Sequence, residues 1–112
     1  MTNSDSSEID SLDWLEAGEV VVAELSGAGA SLVATDRRVV IVRERAEFRS
    51  RNGVRSWDYA RIAHVSLSPP MRGQAVIVIR TGPYPWQAVT MFFDSRMRAE
   101  AARVIGQIRK RL

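Results

Sequence analysis

LVATDRRVVIV, residues 32–42, contains two short runs of apolar and β-branched residues joined by Thr-Asp-Arg-Arg. The runs favour β-strands, and an Asp at the link offers a side-chain acceptor that suits a tight turn. This pattern predicts a hairpin with Arg37 and Arg38 at its end, where we expect them to pair with acids of the first 36 residues. A catalytic site around Asp36 would need further polar partners, which the flanking Val-Ile runs do not provide.

Segments of the same kind recur along the chain, separated by residues that form turns. SGAGAS (residues 26–31) fits a hairpin loop, because its glycine spacing is incomplete for a phosphate-binding loop and a strand follows it. Asn52-Gly53 predicts a tight turn that closes a long hairpin. Seven strands are expected: EVVVAEL (19–25), ASLVAT (30–35), RVVIVR (38–43), VRSWDY (54–59), AHVSLS (63–68), GQAVIVIR (73–80) and QAVTMFF (87–93).

The last segment has the periodicity of an amphipathic α-helix, because its apolar residues recur at spacings of three and four. Asp94 or Ser95 is expected as the N-cap. The opposite side carries Arg96, Arg103 and Lys110, a basic stripe that we interpret as the solvated face of the helix. The apolar face, which we expect to dock on a sheet, consists of Met97, Ala101, Val104, Ile105, Ile108 and Leu112.

A length of 112 residues suits one domain with one core. With 46% hydrophobic and 26% charged residues the chain has the composition of a soluble globular protein, and no apolar run approaches the ~18 residues of a membrane span. Residues 1–8 are expected to be a disordered acidic tail and residues 9–112 a single domain, in which the spacing of Ile9, Leu12 and Leu15 fits a short helix or turn that ends near Gly18. The polar start does not resemble a secretory signal, so we expect a cytoplasmic location.

The residue inventory excludes several kinds of catalytic and metal site. The chain has no cysteine, which removes disulfides, thiolate nucleophiles and cysteine-ligated zinc. Its single histidine, His64, cannot form a multi-histidine metal site and has no nucleophile beside it in the sequence. We expect His64 to be a partly exposed strand residue, and we expect no catalytic residues, no cofactor and no metal.

The net charge of +3 is unevenly distributed along the chain. Residues 1–36 hold eight acids and no Lys or Arg, whereas residues 37–112 hold sixteen bases and five acids. Fifteen of those bases are Arg, whose planar guanidinium group suits carboxylates and phosphates. The asymmetry predicts that the acidic N-terminal segment weakly masks basic surface of its own chain or of a neighbour.

Four stretches in this order resemble the bacterial pleckstrin-homology-like (PH-like) domain families: LEAGEVVVAEL (15–25), LVATDRRVVIV (32–42), WDYARIAHVSL (57–67) and VTMFFDSRMRAEAARVI (89–105). In such domains a Gly-Glu opens the first strand, a Thr-Asp-Arg-Arg turn joins the second strand to the third, and a Tyr-x-x-Ile leads into the fifth. The resemblance implies a mainly β fold, in which seven antiparallel strands form a split barrel or two packed sheets with one C-terminal helix.

The long connection ERAEFRSRNG and its flanks hold the strongest candidate for ligand binding. Convergent guanidinium groups on one hairpin can bind phosphates or an acidic protein surface, although a solvated hairpin neutralised by Glu44 and Glu47 is an equally simple interpretation. The resemblance implies a related site, because PH domains that bind inositol phosphates use their first, third and sixth loops, but the first loop here lacks Lys and Arg. The candidate arginines are Arg43, Arg45, Arg49, Arg51 and Arg55.

Aromatic residues of the sixth loop, TGPYPW, are a second candidate for binding. Tyr84 and Trp86 suit a membrane or partner anchor, but packing of Trp86 over its own hairpin is the favoured interpretation.

Several strands are apolar on both alternating faces, although a sheet with one wet face should alternate with polar residues. Either some Val and Ile side chains are exposed, or strands form an interface with another copy or another protein. We therefore expect a non-catalytic protein-interaction or assembly module that self-associates or binds a protein partner. The alternative is a binder of an anionic membrane surface or polyanion through the Arg-rich hairpin; an enzyme and sequence-specific nucleic-acid recognition are the less favoured readings.

Overall fold

The computed structural model describes residues 14–27, 29–43, 53–68 and 72–112. Two antiparallel sheets account for about half of these residues, and single 3₁₀ turns at Tyr59–Arg61 and Ser95–Met97 precede β5 and the helix. The first sheet has the order β1-β2-β3-β4 and the second the order β5-β6-β7. The elements are β1 (Val21–Ser26), β2 (Ala30–Thr35), β3 (Arg38–Arg43), β4 (Val54–Asp58), β5 (His64–Leu67), β6 (Gln74–Arg80), β7 (Ala88–Asp94) and α1 (Arg98–Arg109).

All seven expected strands are confirmed, and each lies within two residues of its expected bounds. Consecutive strands pair as hairpins within each sheet, which fits the turn signals between them. The hairpin of β3 and β4 is present, and the amide of Arg43 donates to the carbonyl of Gly53 at 2.6 Å. The expected tail at residues 1–8, the start of the short helix and Asn52 lie outside the described residues.

The core lies between the two sheets, because each strand turns alternate side chains toward it. Leu25, Leu32 and Ile41 face each other across β1, β2 and β3 and are fully buried. Ile77 and Phe93 supply the corresponding layer of the second sheet. Fully burying a side chain of this size stabilises the fold by roughly 1.5–3 kcal/mol, so these inner rows hold the sheets together.

Helix α1 closes this core and contacts β1, β2 and β5, so it connects the two sheets. Its buried residues are Ala101, Val104, Ile105 and Ile108, as the spacing predicts. Leu112 departs from that expectation: it is half exposed, because α1 ends at Arg109 and Leu112 lies beyond it.

The helix start also differs in detail from the expectation. The carboxylate of Asp94 accepts the amide of Arg96 at 2.9 Å and so caps the 3₁₀ turn, whereas the N-cap position of α1 itself is Met97. The basic stripe on the helix is exposed at Arg96, Arg103 and Lys110, in agreement with a solvated face.

The two sheets approach each other closely where β1 ends. A Cβ placed on Gly27 would overlap the backbone carbonyl oxygen of Phe92 and come within 2.9 Å of Cε of Met91. Glycine is therefore needed here for the close packing of β1 against β7.

Within the described part of the chain, none of the helices has the length and apolar character needed to span a membrane. The same residues contain no group of three or more side chains suited to hold a metal ion.

Candidate interaction surfaces

The Thr-Asp-Arg-Arg link forms the tight β2–β3 turn that its composition predicts. The hydroxyl of Thr35 accepts the backbone amides of Arg37 and Arg38 at 3.0 Å each, so Thr35 supplies the acceptor that holds the turn. Asp36 has a different role: its carboxylate accepts the amide of Val20 at 2.9 Å and ties the turn to the chain before β1. The Thr-Asp-Arg-Arg link is thus a structural turn, and Asp36 connects it to the residue that precedes β1.

Glu19 and Arg38 form the most buried ion pair of the described residues. Nε of Arg38 donates to Oε2 of Glu19 at 2.8 Å, and Nη2 donates to Oε1 at 2.9 Å. The hydroxyl of Thr35 also donates to Oε2 of Glu19 at 2.7 Å. These bonds lower the pKa of Glu19 to about 2, chiefly through the hydrogen bonds from Arg38, and Glu19 in turn raises the pKa of Arg38.

The same turn anchors residues 14–20, which precede β1. Nη2 of Arg38 donates to the carbonyl of Trp14 at 2.7 Å, and its guanidinium lies 5.3 Å from the centre of the Trp14 ring. Arg37 donates to the carbonyl of Ala17 at 3.3 Å and pairs with the exposed Glu16 at 3.5 Å. The expected pairing of both arginines with N-terminal acids is confirmed, and it is structural: the carboxylate of Glu19 is engaged from both oxygens.

Two arginines of the candidate Arg-rich hairpin lie in the described residues. Arg43 ends β3 and Arg55 lies in β4, and both are exposed. The guanidinium of Arg55 rests 5.2 Å from the centre of the Trp57 ring, a cation–π arrangement that holds its side chain against the sheet. Arg45, Arg49 and Arg51 lie outside the described residues, so convergence of the five arginines stays a prediction.

The outer face of the second sheet carries an apolar surface that is partly exposed among the described residues. Val76 lies directly opposite Phe92, and Val78 lies opposite Thr90 one row along. Phe92 is 52% exposed, and both valines are half-buried. A large exposed aromatic at the centre of a strand suits a protein contact better than solvent.

The β6–β7 loop presents two aromatic rings in a fixed arrangement. Tyr84 and Trp86 stack with their centroids 4.8 Å apart and their planes 2° from parallel. They are 54% and 76% exposed. Gln87 fixes the loop, because its side-chain oxygen accepts the amide of Tyr84 at 3.2 Å and its own amide donates to the Tyr84 carbonyl at 2.9 Å. Trp86 therefore packs on its own hairpin through the ring of Tyr84, and most of the indole is exposed.

We call the outer face of the second sheet together with the Tyr84–Trp86 pair the second-sheet face. Charges of both signs lie near it: Arg80 ends β6, and Asp94 lies two residues after Phe92 on the same side of β7 and pairs with Arg96 at 2.8 Å. Arg80 lies on this face directly opposite His64. Arg80 ends β6 and His64 begins β5, so both lie at the same end of the sheet. His64 is exposed, as expected for a strand residue. The centre of this face is apolar, and its charged residues lie at the strand ends.

A shallow depression lies where the two sheets meet, at the start of β6 and the end of β7. Its one acid, Asp94, is held by Arg96 at 2.8 Å, which lowers the pKa of the carboxyl to about 2. That carboxylate is thus committed to its neighbour. The lining residues are Ser26, Gly27, Gly73, Gln74, Asp94 and Met97.

Comparison by sequence finds no matching protein-family model and no matching curated protein. Two solved structures are similar in fold. One is a DUF1696 family protein with a pleckstrin-homology domain from Shewanella loihica PV-4, with a TM-score of 0.67, 12% identity and coverage of 96% of this chain and 98% of that one. The other is a pleckstrin-homology domain from Shewanella amazonensis SB2B, with a TM-score of 0.54, 13% identity and 80% coverage of both chains.

These similarities agree with the element order, in which two antiparallel sheets of four and three strands are followed by one C-terminal helix. At such low identity the likeness concerns the fold and carries no ligand with it. The resemblance seen in the sequence is confirmed at that level: the chain has the fold of a bacterial PH-like domain.

Proposed function

We propose that the chain is a non-catalytic PH-like module that binds a protein, with a second copy of itself as the first candidate, through the second-sheet face. The observation that supports this most directly is Phe92, which is 52% exposed in the middle of β7. PH-like folds serve in general as protein or lipid interaction modules, and the apolar outer face here gives such a module a contact surface. No cofactor is part of this proposal.

The Tyr84–Trp86 pair adds to the surface at low entropic cost. Both rings are already stacked, and Gln87 holds the loop from two sides. Preordered aromatic side chains lose little freedom on binding, and they are over-represented among residues that dominate interface energies. Arg80, at one end of this face, suits an acidic group, and the first 36 residues of a second copy hold eight acids.

Support for a non-catalytic role comes from the titratable groups. Among the carboxyl groups of the described residues, the most buried is that of Glu19, and both of its oxygens accept hydrogen bonds, from Arg38 and Thr35. His64 is exposed and lies opposite Arg80, which is not the setting of a general base paired with a nucleophile.

Light scattering after gel filtration tests the self-association. We expect a dimer or a higher species at micromolar concentration, and closed symmetry if an oligomer forms. Phe92→Asp should shift the population to monomer. Val20→Asp is the matched control, because Val20 is similarly exposed, at 56%, but lies next to the β2–β3 turn. A wild-type monomer throughout the dilution series would refute self-association. The proposal that the face binds a protein would then be tested by whether wild type, but not Phe92→Asp, binds a foreign partner.

The second candidate function is binding of an anionic surface through the Arg-rich hairpin. Its supporting observation is that Arg43 and Arg55, at the two sides of this hairpin, are both exposed. Phosphate contacts release counterions, so such binding should weaken as salt rises.

Sedimentation with anionic liposomes at low salt tests this second function. The triple variant Arg45→Ala, Arg49→Ala, Arg51→Ala should bind less than wild type. A matched control removes the same charge from α1 and its C-cap, with the exposed residues Arg98, Arg103 and Lys110 replaced by Ala, and keeps Arg96 because it pairs with Asp94. An equal loss of liposome binding in both variants would indicate a general charge effect. Equal binding by wild type and the hairpin variant would refute binding through the Arg-rich hairpin. A soluble polyanion as competitor shows whether the attraction is selective for lipid.

A further inference from the structure

The outward side chains of β6 and β7 form four rows across the second-sheet face. The inward residues of both strands, such as Ile77 and Phe93, belong to the core, so the residues beside them turn outward. The two middle rows hold the apolar centre of the face, and the two outer rows hold its charged residues. In order along the strands, the rows are Arg80–Ala88, Val78–Thr90, Val76–Phe92 and Gln74–Asp94.

The height of this face changes along β7. Phe92 is the largest outward side chain of the strand and is 52% exposed. Thr90 and Ala88, which lie toward the start of β7, are smaller. One half of the strand is therefore raised and the other half is low. Such a face is complementary to a copy of itself whose strands run in the opposite direction.

The charges also differ between the two ends of the face. Arg80 and His64 lie at one end, next to the small Ala88. Asp94 lies at the other end, where Arg96 pairs with it but leaves its side chain 44% exposed. A carboxylate has two oxygens and can accept hydrogen bonds from more than one guanidinium group. The Asp94 end can thus receive a further cation, and the Arg80 end can receive an acid.

Two identical sheets that pack face to face with closed symmetry and nearly aligned strands have two possible arrangements. If the strands of the two copies run parallel, each row faces the same row of the other copy, and the two Arg80 side chains repel each other. If the strands run antiparallel, the order of the rows is reversed, and the Arg80 row faces the Asp94 row. Like charges across an interface cost free energy, so the charges favour the antiparallel arrangement.

We propose that two copies join their second-sheet faces with antiparallel strands, so that Arg80 of each copy pairs with Asp94 of the other. This inference rests on the proposed function and specifies the contact with the second copy. Phe92 then packs over Thr90 of the other copy, and Asp94 occupies the room above Ala88, beside Arg80. Packed sheets lie about 10 Å apart, a gap that an arginine and an aspartate side chain bridge together.

Charge reversal tests the arrangement, with the dissociation constant of the dimer measured by sedimentation equilibrium at low salt. Arg80→Asp should raise this constant by about tenfold or more, because each new carboxylate faces Asp94 of the other copy. Asp94→Arg should weaken the dimer in the same way, because it faces Arg80. The double variant should return to within about threefold of wild type, since both pairs are recreated in reverse.

Arg103→Asp is the matched control, because it makes the same charge change on the exposed side of α1, whose other side packs on the core. It should change the dissociation constant by less than about threefold. Asp94→Arg also removes the acceptor of the Arg96 amide, so its folding is checked by thermal unfolding. If it unfolds, Asp94→Asn keeps an oxygen acceptor and should relieve the repulsion when combined with Arg80→Asp.

The outcomes separate this arrangement from the proposed function. A wild-type monomer, or a dimer that Phe92→Asp leaves intact, would refute self-association through the second-sheet face and the arrangement with it. A dimer that Phe92→Asp dissociates, but that Arg80→Asp leaves unchanged, would overturn the antiparallel arrangement alone. The same conclusion would follow if the second substitution did not restore association.

A distance between the copies gives an independent test, because the sequence has no cysteine and a single added thiol can be spin-labelled. Gln74→Cys places the label in an outer row. In the antiparallel dimer the two labels lie at opposite ends of the face, about 20 Å apart along the strands, whereas a parallel dimer brings them to the same end. Labels separated by about 20 Å or more are expected, and labels within about 15 Å would overturn the proposal.

Discussion

Glu19 and Arg38 stand nineteen residues apart in the sequence and meet through two hydrogen bonds, of 2.8 and 2.9 Å, at the edge of the first sheet. Glu19 is 5% exposed, so its carboxylate depends on Arg38 for the charge compensation that water would otherwise give. The pair holds the start of β1 against the β2–β3 turn. It explains why this turn carries arginine where a simple hairpin needs only a small polar residue.

Acid should weaken the protein through Glu19. Its pKa is about 2 in the folded chain and near 4.5 in the unfolded chain, so the ion pair stabilises the fold fully above pH 4.5 and is lost as the pH falls toward 2. The contribution is about 3 kcal/mol as an upper value. Urea unfolding at a series of pH values should show this drop for wild type.

Glu19→Gln isolates that contribution. The variant should be less stable than wild type by about 3 kcal/mol at neutral pH, because a buried guanidinium loses its charged partner, and the gap should close as the pH falls toward 2. Glu16→Gln removes an exposed pair with Arg37 and should cost less than about 1 kcal/mol at any pH. A constant gap between wild type and Glu19→Gln down to pH 2 would contradict the lowered pKa.

Tyr59→Phe should destabilise the connection between the sheets. The hydroxyl of Tyr59 donates to the carbonyl of Thr35 at 2.5 Å, which ties the 3₁₀ turn before β5 to the end of β2. Loss of this bond should cost about 1 kcal/mol in free energy of unfolding. Tyr84→Phe, on an exposed ring, serves as the control and should leave the unfolding midpoint unchanged.

Substitution of glycine by alanine should have opposite effects on stability at two positions. Gly27→Ala should destabilise the protein by about 1–3 kcal/mol, because the new methyl group would overlap the Phe92 carbonyl, which belongs to the backbone of β7 and cannot move aside cheaply. Gly106→Ala lies within α1 with no atom within 4 Å of the added Cβ, and should stabilise it by about 0.5–1 kcal/mol. Thermal unfolding of both variants measures the difference, and the same sign for both would refute the packing argument.

Removal of residues 1–8 should strengthen attraction to polyanions. The deletion takes away Asp5 and Glu8 but spares the apolar Ile9 and Leu12. Each exposed charge pair is worth only about 0–1 kcal/mol, so the effect should be modest at low salt and should fade near ~0.5 M salt, where the Debye length is roughly 4 Å. Titration of both chains with one polyanion decides the matter, and indistinguishable low-salt affinities would show that the tail has no masking role.

Much of the fold follows from short-range patterns. Alternation and β-branched residues indicate the strands, and the spacing of Ala101, Val104 and Ile108 gives the buried face of α1. These patterns work because each depends on neighbours within a few residues. Pairing of Arg37 and Arg38 with N-terminal acids was also predictable from charge, but the selection of Glu19 for Arg38 was not, since it depends on how the chain folds back before β1.

The candidate surfaces were less predictable, because exposure depends on what lies above a sheet. Val40 and Phe92 have the same kind of strand sequence around them, yet Val40 is fully buried on an outer face and Phe92 is half exposed on another. Trp86 could be recognised as a loop aromatic, but its parallel stack on Tyr84 requires the geometry fixed by Gln87. The contact of Arg55 with Trp57 has one signal in the sequence. The two residues are two positions apart in a strand, so their side chains lie on the same face.

The position of β4 at the end of the first sheet bears on solubility. An edge strand offers unpaired amide and carbonyl groups, through which a second molecule can add a strand and start a fibril. Here β4 is only five residues long and, besides Val54, exposes Arg55, Ser56 and Asp58, a mostly charged and polar border that disfavours such growth. If copies associate as proposed, this border favours contact through side-chain faces, where a complex has a finite size and can be reversed by dilution.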